Sequence, residues 1–201
     1  EEELNNWLTI GSNIHIPVNK EGILEQFSGY FNLKEIDLNE YQTKYGNIHR
    51  MDRLLKAEGN CTDDYKISKQ ADTLMAFYNL NNSEIKQVLE TNGIKLSENF
   101  ASINFDYYYK RTSHGSSLSK LVHADLANKW DIKELAWPLF FDALQSDFID
   151  IQGGTTSEGI HTGVMAGTVM HTITSFAGVN FKDYNININP NLPKHWLSIS
   201  C

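Results

Sequence analysis

The sequence predicts a mainly α-helical protein that ends in a short β segment. After Arg50, apolar residues recur at helical spacing within residues 67–78, 118–122 and 132–144. Glycine- and asparagine-rich stretches such as EGNCTDDY and NGIKLSENF separate these runs. Beyond residue 178 the periodicity changes to the two-residue alternation that is typical of a strand. We therefore expect packed helices with their loops gathered at one end.

The helices are expected in chain order. A first helix is predicted from Glu1 to about Ile10, and the stretch up to Arg50 is predicted as long loops. A helix over residues 67–78 should hold Lys69, Gln70 and Asp72 in its first turns. Another should follow Ser116 or Ser117. In the run 132–144, Pro138 predicts a kink or a helix start.

The C-terminal end is predicted to start a separate β domain. Tyr184, Ile186 and Ile188 alternate with asparagines, as in a strand with two different faces. After two prolines, the segment HWLSIS is predicted to form the next strand. The expected strands belong to the segment 180–201.

Composition excludes several classes of protein. The 201 residues are 41% hydrophobic and 21% charged, which is ordinary for a folded domain. With 17 Lys and Arg and a net charge of −8, the chain is not expected to bind nucleic acid. No apolar run is long enough for a membrane helix, so no membrane partner is expected. Cys61 and Cys201 stand apart, which predicts no disulfide, no metal site and a cytoplasmic location. The opening EEELNNWL, without Met, suggests a piece of something longer.

The stretch YYYKRTSHGSSLS has the chemistry of an anion site. It contains no carboxylate, and Gly115 stands just before the expected helix start, where backbone N–H groups are free. Ser116 or Ser117 is a natural N-cap, and Arg111 or His114 could add positive charge. The alternative is an ordinary capped helix whose Arg111 and His114 are satisfied by structural hydrogen bonds.

The stretch IDIQGGTTSEGIH repeats this design. Thr155 and Glu158 stand in capping-box order, and His161 is expected within the first turns of the helix that follows. Two such helix starts could converge on one anion. Along the same helix, glycines recur every four residues at positions 159, 163 and 167, which indicates close approach of a helix or a ligand, or else loose packing of small residues.

Two further groups of polar residues allow both a functional and a structural interpretation. Lys69, Gln70 and Asp72 offer the donors and acceptors that sugar hydroxyls bind, and the alternative is a solvated helix face. Asp147 and Asp150 are spaced i, i+3 on one face, so they are not expected to flank a substrate bond as a catalytic pair.

Together, the stretches RMDRLLKAEG, YKISKQADTLMAFYNL, YYYKRTSHGSSLS, SDFIDIQGGTTSEGIHTGVMAGT and FAGV resemble glycoside hydrolase family 65, made largely of inverting disaccharide phosphorylases. The resemblance implies that residues 1–179 are the C-terminal half of an (α/α)6 barrel and that residues 180–201 begin a β-sandwich. It implies a phosphate site at Ser113, His114, Gly115, Ser116, Ser117, Gly154, Thr155 and Thr156. It also implies that Lys69 and Gln70 hold the glucosyl unit.

The resemblance explains the loop without carboxylates. An inverting hydrolase needs a carboxylate base to activate water, whereas a phosphorylase replaces that water with inorganic phosphate, which a carboxylate would repel. The implied partners are a disaccharide and phosphate, with no cofactor. The implied general acid is a Glu upstream of this region, so the chain alone is expected to be inactive. A hydrolase of the same fold and a non-catalytic helical interaction module remain as alternatives, and exposed apolar helix faces predict a homo-oligomer.

Overall fold

The computed structural model describes residues 1–70, 72–95, 97–150, 156–182 and 184–200. Within these residues the α-helices are α1 (Glu2–Asn13), α2 (Leu38–Tyr45), α3 (Met51–Ala57), α4 (Asp72–Asn79), α5 (Asn82–Thr91), α6 (Phe100–Tyr109), α7 (Ser117–Lys129), α8 (Lys133–Gln145) and α9 (Thr162–His171). A π-helical turn, Thr172–Phe176, follows α9, and two antiparallel strands, β1 (Val179–Lys182) and β2 (Asn185–Ile188), follow that turn. Short 3-10 turns lie at Tyr30–Asn32, Thr62–Asp64 and Thr156–Glu158. The mainly helical class and the first helix are confirmed. The prediction of long loops up to Arg50 was wrong at α2, where the Asp37 carboxylate caps a helix by accepting from Asn39 N and Glu40 N.

Helix α7 is the centre of the fold, with α4, α8 and α9 packed around it. Near its start, Lys120 Nζ lies 2.9 Å from the Asp142 carboxylate near the end of α8, so these two helices run antiparallel. Helix α9 runs parallel to α7, because Gly167 lies against Leu121 and, four residues further along both helices, His171 Nδ1 lies 3.2 Å from the Asp125 carboxylate. The starts of α7 and α9 therefore lie at the same end of the fold.

The largest apolar cluster joins α4, α5, α6 and α7 to the long loop that follows α1. Polar groups fix that loop to α6: the Asn104 amide accepts from Leu24 N and donates to Gly22 O. The hydroxyl of Tyr108 donates to the Leu24 carbonyl, and the Tyr108 side chain is fully buried. Each large side chain buried in this way contributes about 1.5–3 kcal/mol relative to an exposed one. The N-terminal loop is thus part of the core.

Two predicted helix starts were wrong. Helix α4 begins at Asp72, because residues 66–68 are held in extended backbone by hydrogen bonds to Lys34 and to Arg111, so Lys69 and Gln70 precede the helix. Helix α9 begins at Thr162, with His161 as its N-cap residue, so His161 is not inside the helix. Gly159 has a φ of 120°, which no helix adopts, and it separates α9 from the preceding 3-10 turn.

The predicted strand HWLSIS was also wrong. Within residues 184–200 the structure has only strand β2, which the alternation of Tyr184, Ile186 and Ile188 had indicated. The later segment packs back onto the helices instead: Asn191 N donates to Phe176 O, and Trp196 meets the Phe176 ring with centroids 5.4 Å apart. Partial burial of this indole against Trp137 of α8 and Phe176 of the π-helical turn competes with strand pairing. The division at residues 179 and 180 into a barrel half and a β domain stays a prediction.

No helix in the described ranges combines the length and the apolar character that a membrane crossing needs.

The glycines at intervals of four have different surroundings. A Cβ added at Gly167 would lie closer than 3.0 Å to a Leu121 methyl carbon, whereas one at Gly163 would meet nothing within 4 Å. Close helix approach is therefore confirmed at Gly167, and Gly163 has open space. Gly159 lies before the helix.

This contrast supplies a matched pair of substitutions. We expect Gly163→Ala to raise the free energy of unfolding by up to about 1 kcal/mol, because Ala orders a helix at lower entropic cost than Gly. Gly167→Ala should lower it by about 1–3 kcal/mol, because the buried Leu121 must move. Urea unfolding followed by circular dichroism measures both. An equal gain in stability for the two variants would contradict the close packing of α7 on α9.

Candidate functional site

The candidate site is assembled by main-chain pairing between the segment before α4 and the loop before α7. Ser68 N donates to Arg111 O at 2.9 Å, and Ser113 N donates to Ser68 O at 2.9 Å. The Ser113 hydroxyl also donates to Ser68 O at 3.4 Å. Buried backbone groups of this kind are costly to leave unpaired, so the register between the two segments is fixed. Residues distant in sequence thereby become neighbours.

Gly115 brings the loop into contact with the backbone before α3. A Cβ at this position would lie closer than 3.0 Å to His49 O and 3.1 Å from Lys69 Cγ. The obstacle at His49 is a backbone carbonyl, which cannot swing away as a side chain can. Glycine is therefore required here by space, and its φ is not positive. The loop is enclosed between the His49 backbone and the Lys69 side chain.

A cleft of about 430 Å³ opens beside this loop. Lys69, Gln70 and Ser116 line it together, so the structure unites three of the sequence-predicted site residues. Gln26 and Asp72 line it as well. Lys69 is exposed and has no ion pair to any described carboxylate, whereas nearby Lys66 is bound to Glu35 at 2.9 Å. The cleft thus offers one unpaired ammonium group together with amide and hydroxyl groups.

Backbone N–H groups at the start of α7 are available to a ligand. Those of Gly115, Ser116 and Ser117 donate to no backbone carbonyl of the described residues outside the helix. Ser116 is the N-cap residue, and its side chain makes no capping hydrogen bond. The first turn of this 13-residue helix contains no acidic residue, so its partial positive charge is not neutralised locally. This is the chemistry of an anion-binding loop.

His114 is held from the interior rather than facing the cleft freely. Its Nδ1 lies 3.2 Å from Ser119 Oγ, and its Nε2 is buried without a hydrogen-bond partner. Its backbone has a φ of 51°, in the left-handed region. Burial lowers the pKa of His114 well below 6.5, helped by His123 and Lys120. The imidazole is therefore neutral near pH 7, and its direct contact with an anion stays a prediction.

His123 completes this buried network from the next turn of α7. Its ring meets the His114 ring with centroids 4.6 Å apart, and its Nδ1 lies 2.7 Å from Ser119 O and 3.4 Å from Ser119 Oγ. Burial lowers the pKa of His123 to about 4. Two adjacent imidazoles thus share one serine and both stay uncharged.

The second predicted loop is described only in part. Gly154 and Thr155 lie outside the described residues, so the capping box with Glu158 and the placement of these two residues stay predictions. Thr156 belongs to a 3-10 turn, and its hydroxyl is buried without a partner. Parallel packing puts the start of α9 at the same end of the fold as the Ser113–Ser117 loop. The convergence of the two loops on one anion stays a prediction.

Asp147 has a structural role at the start of α9. Its carboxylate accepts from His161 N at 3.0 Å and lies 2.6 Å from His161 Nδ1. Asp147 therefore caps α9 and orients the His161 imidazole, as a residue outside the helix can do for orphan N–H groups. Within the described residues, no three His, Cys, Asp or Glu side chains gather closely enough to hold a metal ion.

Sequence reasoning missed Gln26, Ser119 and His123. The spacing of Ser119 and His123, four residues apart on one helix, was a readable signal of contact. The signal was missed because polar residues on an amphipathic helix are expected on its solvated face, whereas Ser119 and His123 are only 1–2% exposed. Gln26 had no signal, since it comes from a loop that only the tertiary fold brings to Ser68.

Comparisons with known proteins identify the family of this chain. The family description "Glycosyl hydrolase family 65 central catalytic domain" matches residues 1–170. Trehalose 6-phosphate phosphorylase of Lactococcus lactis subsp. lactis (strain IL1403) is 40% identical over 190 residues, covering 94% of this chain and 25% of that protein. Kojibiose phosphorylase of Thermoanaerobacter brockii is 30% identical over 201 residues, covering 99% of this chain and 24% of that protein.

A solved structure named "Putative kojibiose phosphorylase from human microbiome" is 26% identical in sequence. It superposes on this chain with a TM-score of 0.69, and the match covers 97% of this chain and 25% of that one. The fold and the relatives define a carbohydrate-active class of enzyme. The chain belongs to glycosyl hydrolase family 65. It spans about a quarter of the length of these relatives. The prediction that residues 1–179 form the C-terminal half of an (α/α)6 barrel stays a prediction.

The buried imidazoles predict a pH dependence of stability. Because the folded-state pKa of His123 is about 4, lowering the pH below about 6.5 protonates this histidine in the unfolded chain but not yet in the folded chain. The contribution of His123 to the free energy of unfolding is therefore fully present above pH 6.5 and is lost as the pH falls towards 4. Between pH 7 and pH 5 we expect a loss of about 2 kcal/mol from His123. Urea unfolding at a series of pH values measures it.

The matched substitutions are His123→Asn and, at an exposed position outside the network, His15→Asn. His123→Asn should flatten the decline between pH 7 and pH 5, and His15→Asn should leave it as it is. The same decline in wild type and His123→Asn would show that His123 is not the cause.

Proposed function

We propose that this chain is part of an inverting disaccharide phosphorylase, which cleaves an α-glucosyl disaccharide with inorganic phosphate and releases β-glucose 1-phosphate. The family and the named activities of the relatives support a reaction of this kind. The chain would contribute the phosphate-binding part of the active site. The general acid would come from a Glu outside these residues, so the 201 residues alone would not turn over substrate.

One observation carries the proposal: free backbone N–H groups at the start of α7 adjoin a cleft that contains Lys69 and Gln70. Phosphate oxygens accept from such N–H groups, and the helix dipole favours the negative charge. In the proposed site, the loop Ser113–Ser117 binds phosphate together with Gly154, Thr155 and Thr156. Lys69 and Gln70 hold the glucosyl hydroxyls.

The charge of the loop favours phosphate over water as the nucleophile. No Asp or Glu occurs between Lys110 and Lys120, so the loop has no carboxylate that could act as the base of an inverting hydrolase. Phosphate is already an anion and needs no such base. Asp72 lines the cleft, and an acceptor there suits a sugar hydroxyl better than a phosphate oxygen. The proposed reaction needs no cofactor, and a cytoplasmic location stays a prediction.

Binding of inorganic phosphate to the chain tests the proposal. Titration of the ¹⁵N-labelled chain should shift the amide signals of Gly115, Ser116 and Ser117, because their N–H groups would become donors to the anion. Lys69→Ala should change phosphate affinity by less than about threefold and should weaken glucose binding, since we assign Lys69 to the sugar.

Lys56→Ala, at an exposed position of α3, is the control and should change neither affinity. Wild-type loop signals that do not respond to phosphate would overturn the phosphate site. Loss of phosphate affinity in Lys69→Ala with unchanged glucose binding would mean that the two roles are assigned the wrong way round.

We also propose that the chain forms a homo-oligomer. The support is helix α1, which has no buried residue and exposes large apolar side chains, namely Leu4, Trp7, Leu8 and Ile10; Ile14, directly after the helix, is exposed as well. An apolar surface of this kind favours association. Light scattering coupled to gel filtration should give a mass above one chain, and Trp7→Glu should lower that mass. A monodisperse monomer at high protein concentration would contradict the proposal.

A further inference from the structure

The His114, Ser119 and His123 network has a direction that follows from its donors and acceptors. A carbonyl oxygen can only accept, so His123 Nδ1, which lies 2.7 Å from Ser119 O, must carry a hydrogen. That same N–H also points to Ser119 Oγ at 3.4 Å, which leaves the hydroxyl hydrogen free to be donated elsewhere. The remaining neighbour of Ser119 Oγ is His114 Nδ1, 3.2 Å away.

This direction of donation favours one tautomer of His114. When its Nδ1 accepts from the Ser119 hydroxyl, the neutral ring carries its hydrogen on Nε2. Burial is the main factor that disfavours a positive charge on His114, with smaller contributions from His123, Lys120 and His49, while Tyr109 packs against both rings. The network therefore keeps one protonation state of His114.

The backbone of His114 needs such support. A φ of 51° is uncommon for any residue with a side chain, and it persists where surrounding contacts hold it. His114 immediately precedes Gly115 and Ser116, so its backbone angles set the direction of the N–H groups that follow. An imidazole anchored to Ser119 fixes those angles from inside the protein.

We propose that His123 is a positioning residue: acting through Ser119, it holds His114 in one tautomer and in the left-handed conformation, and so aims the N–H groups of the loop at phosphate. This rests on the phosphate site proposed above. His123 itself is 1% exposed and does not line the cleft, so it acts only through its neighbours. It differs in this respect from the loop residues and from Lys69.

Two substitutions separate this role from simple packing. His123→Phe keeps a buried ring but removes the Nδ1 donor, whereas His123→Asn retains an amide donor near the position of Nδ1. Long-range ¹H–¹⁵N correlation spectra of the ¹⁵N-labelled chain report the tautomer of each histidine. Inorganic phosphate titrations of the same samples report affinity.

We expect wild-type His114 to be neutral with its hydrogen on Nε2. In His123→Phe we expect a mixture of His114 tautomers and a dissociation constant for phosphate raised about tenfold, because misaimed donors lose hydrogen bonds to a charged group. His123→Asn should restore the tautomer and most of the affinity. His171→Phe, which removes another buried imidazole away from the network, should change neither readout.

The proposal is overturned if His123→Phe keeps both the wild-type tautomer of His114 and the wild-type affinity for phosphate. It is also overturned if wild-type His114 carries its hydrogen on Nδ1, a result that needs no variant to fold. If the amide signals of the wild-type loop do not shift when phosphate is added, the phosphate site itself is wrong. In that case the tautomers still decide whether His123 and Ser119 control His114.

Discussion

The pairing of Ser68 with the Arg111–Ser113 segment is the interaction on which the site depends. Its main-chain hydrogen bonds join a segment before α4 to a loop before α7 that is more than forty positions away in sequence. Lys69 and Gln70 follow Ser68 directly, and the glycine and serines follow Ser113. Once the register is fixed, both groups of side chains must open on the same cleft. Without it they would belong to two unrelated loops.

Helix α7 anchors the loop of the candidate site to the protein interior. It is buried on nearly every side and carries polar residues into the interior, including Lys120, His123 and Asn128. Each of these finds a partner: Lys120 binds Asp142, and the Asn128 amide donates to Ser175 O at 3.0 Å. Buried polar groups with fixed partners specify one packing arrangement. The N-terminal end of α7, where the loop is attached, is thereby held in a defined position.

A neutral histidine network behind the proposed anion site has a physical advantage. A charged imidazole in this interior would be costly, since burial already lowers the pKa of both histidines. Neutral rings can still fix a backbone through directed hydrogen bonds. In the proposed site, the positive potential would then come from the helix start and not from a side chain that titrates near neutrality.

Periodicity in the sequence predicted the helical class, the first helix and the cores of α7 and α8 because local backbone preference and burial agree there. Periodicity failed at the starts of α4 and α9 and at HWLSIS. At those positions Ser68 pairing, a glycine with positive φ and burial of Trp196 outweigh the local pattern.

For the site, the sequence by itself determined the residue types. They form a loop at a helix start that has no carboxylates and whose glycine and serines are small enough for the backbone to approach a ligand. It also determined the family resemblance, which the comparisons confirmed. Only the tertiary structure decided that Lys69 and Gln70 line one cleft with Ser116, that Gln26 joins them, and that Ser119 and His123 contact His114 from the interior. These contacts join residues through main-chain pairing and burial between segments distant in the chain, and such interactions leave no periodic trace in sequence.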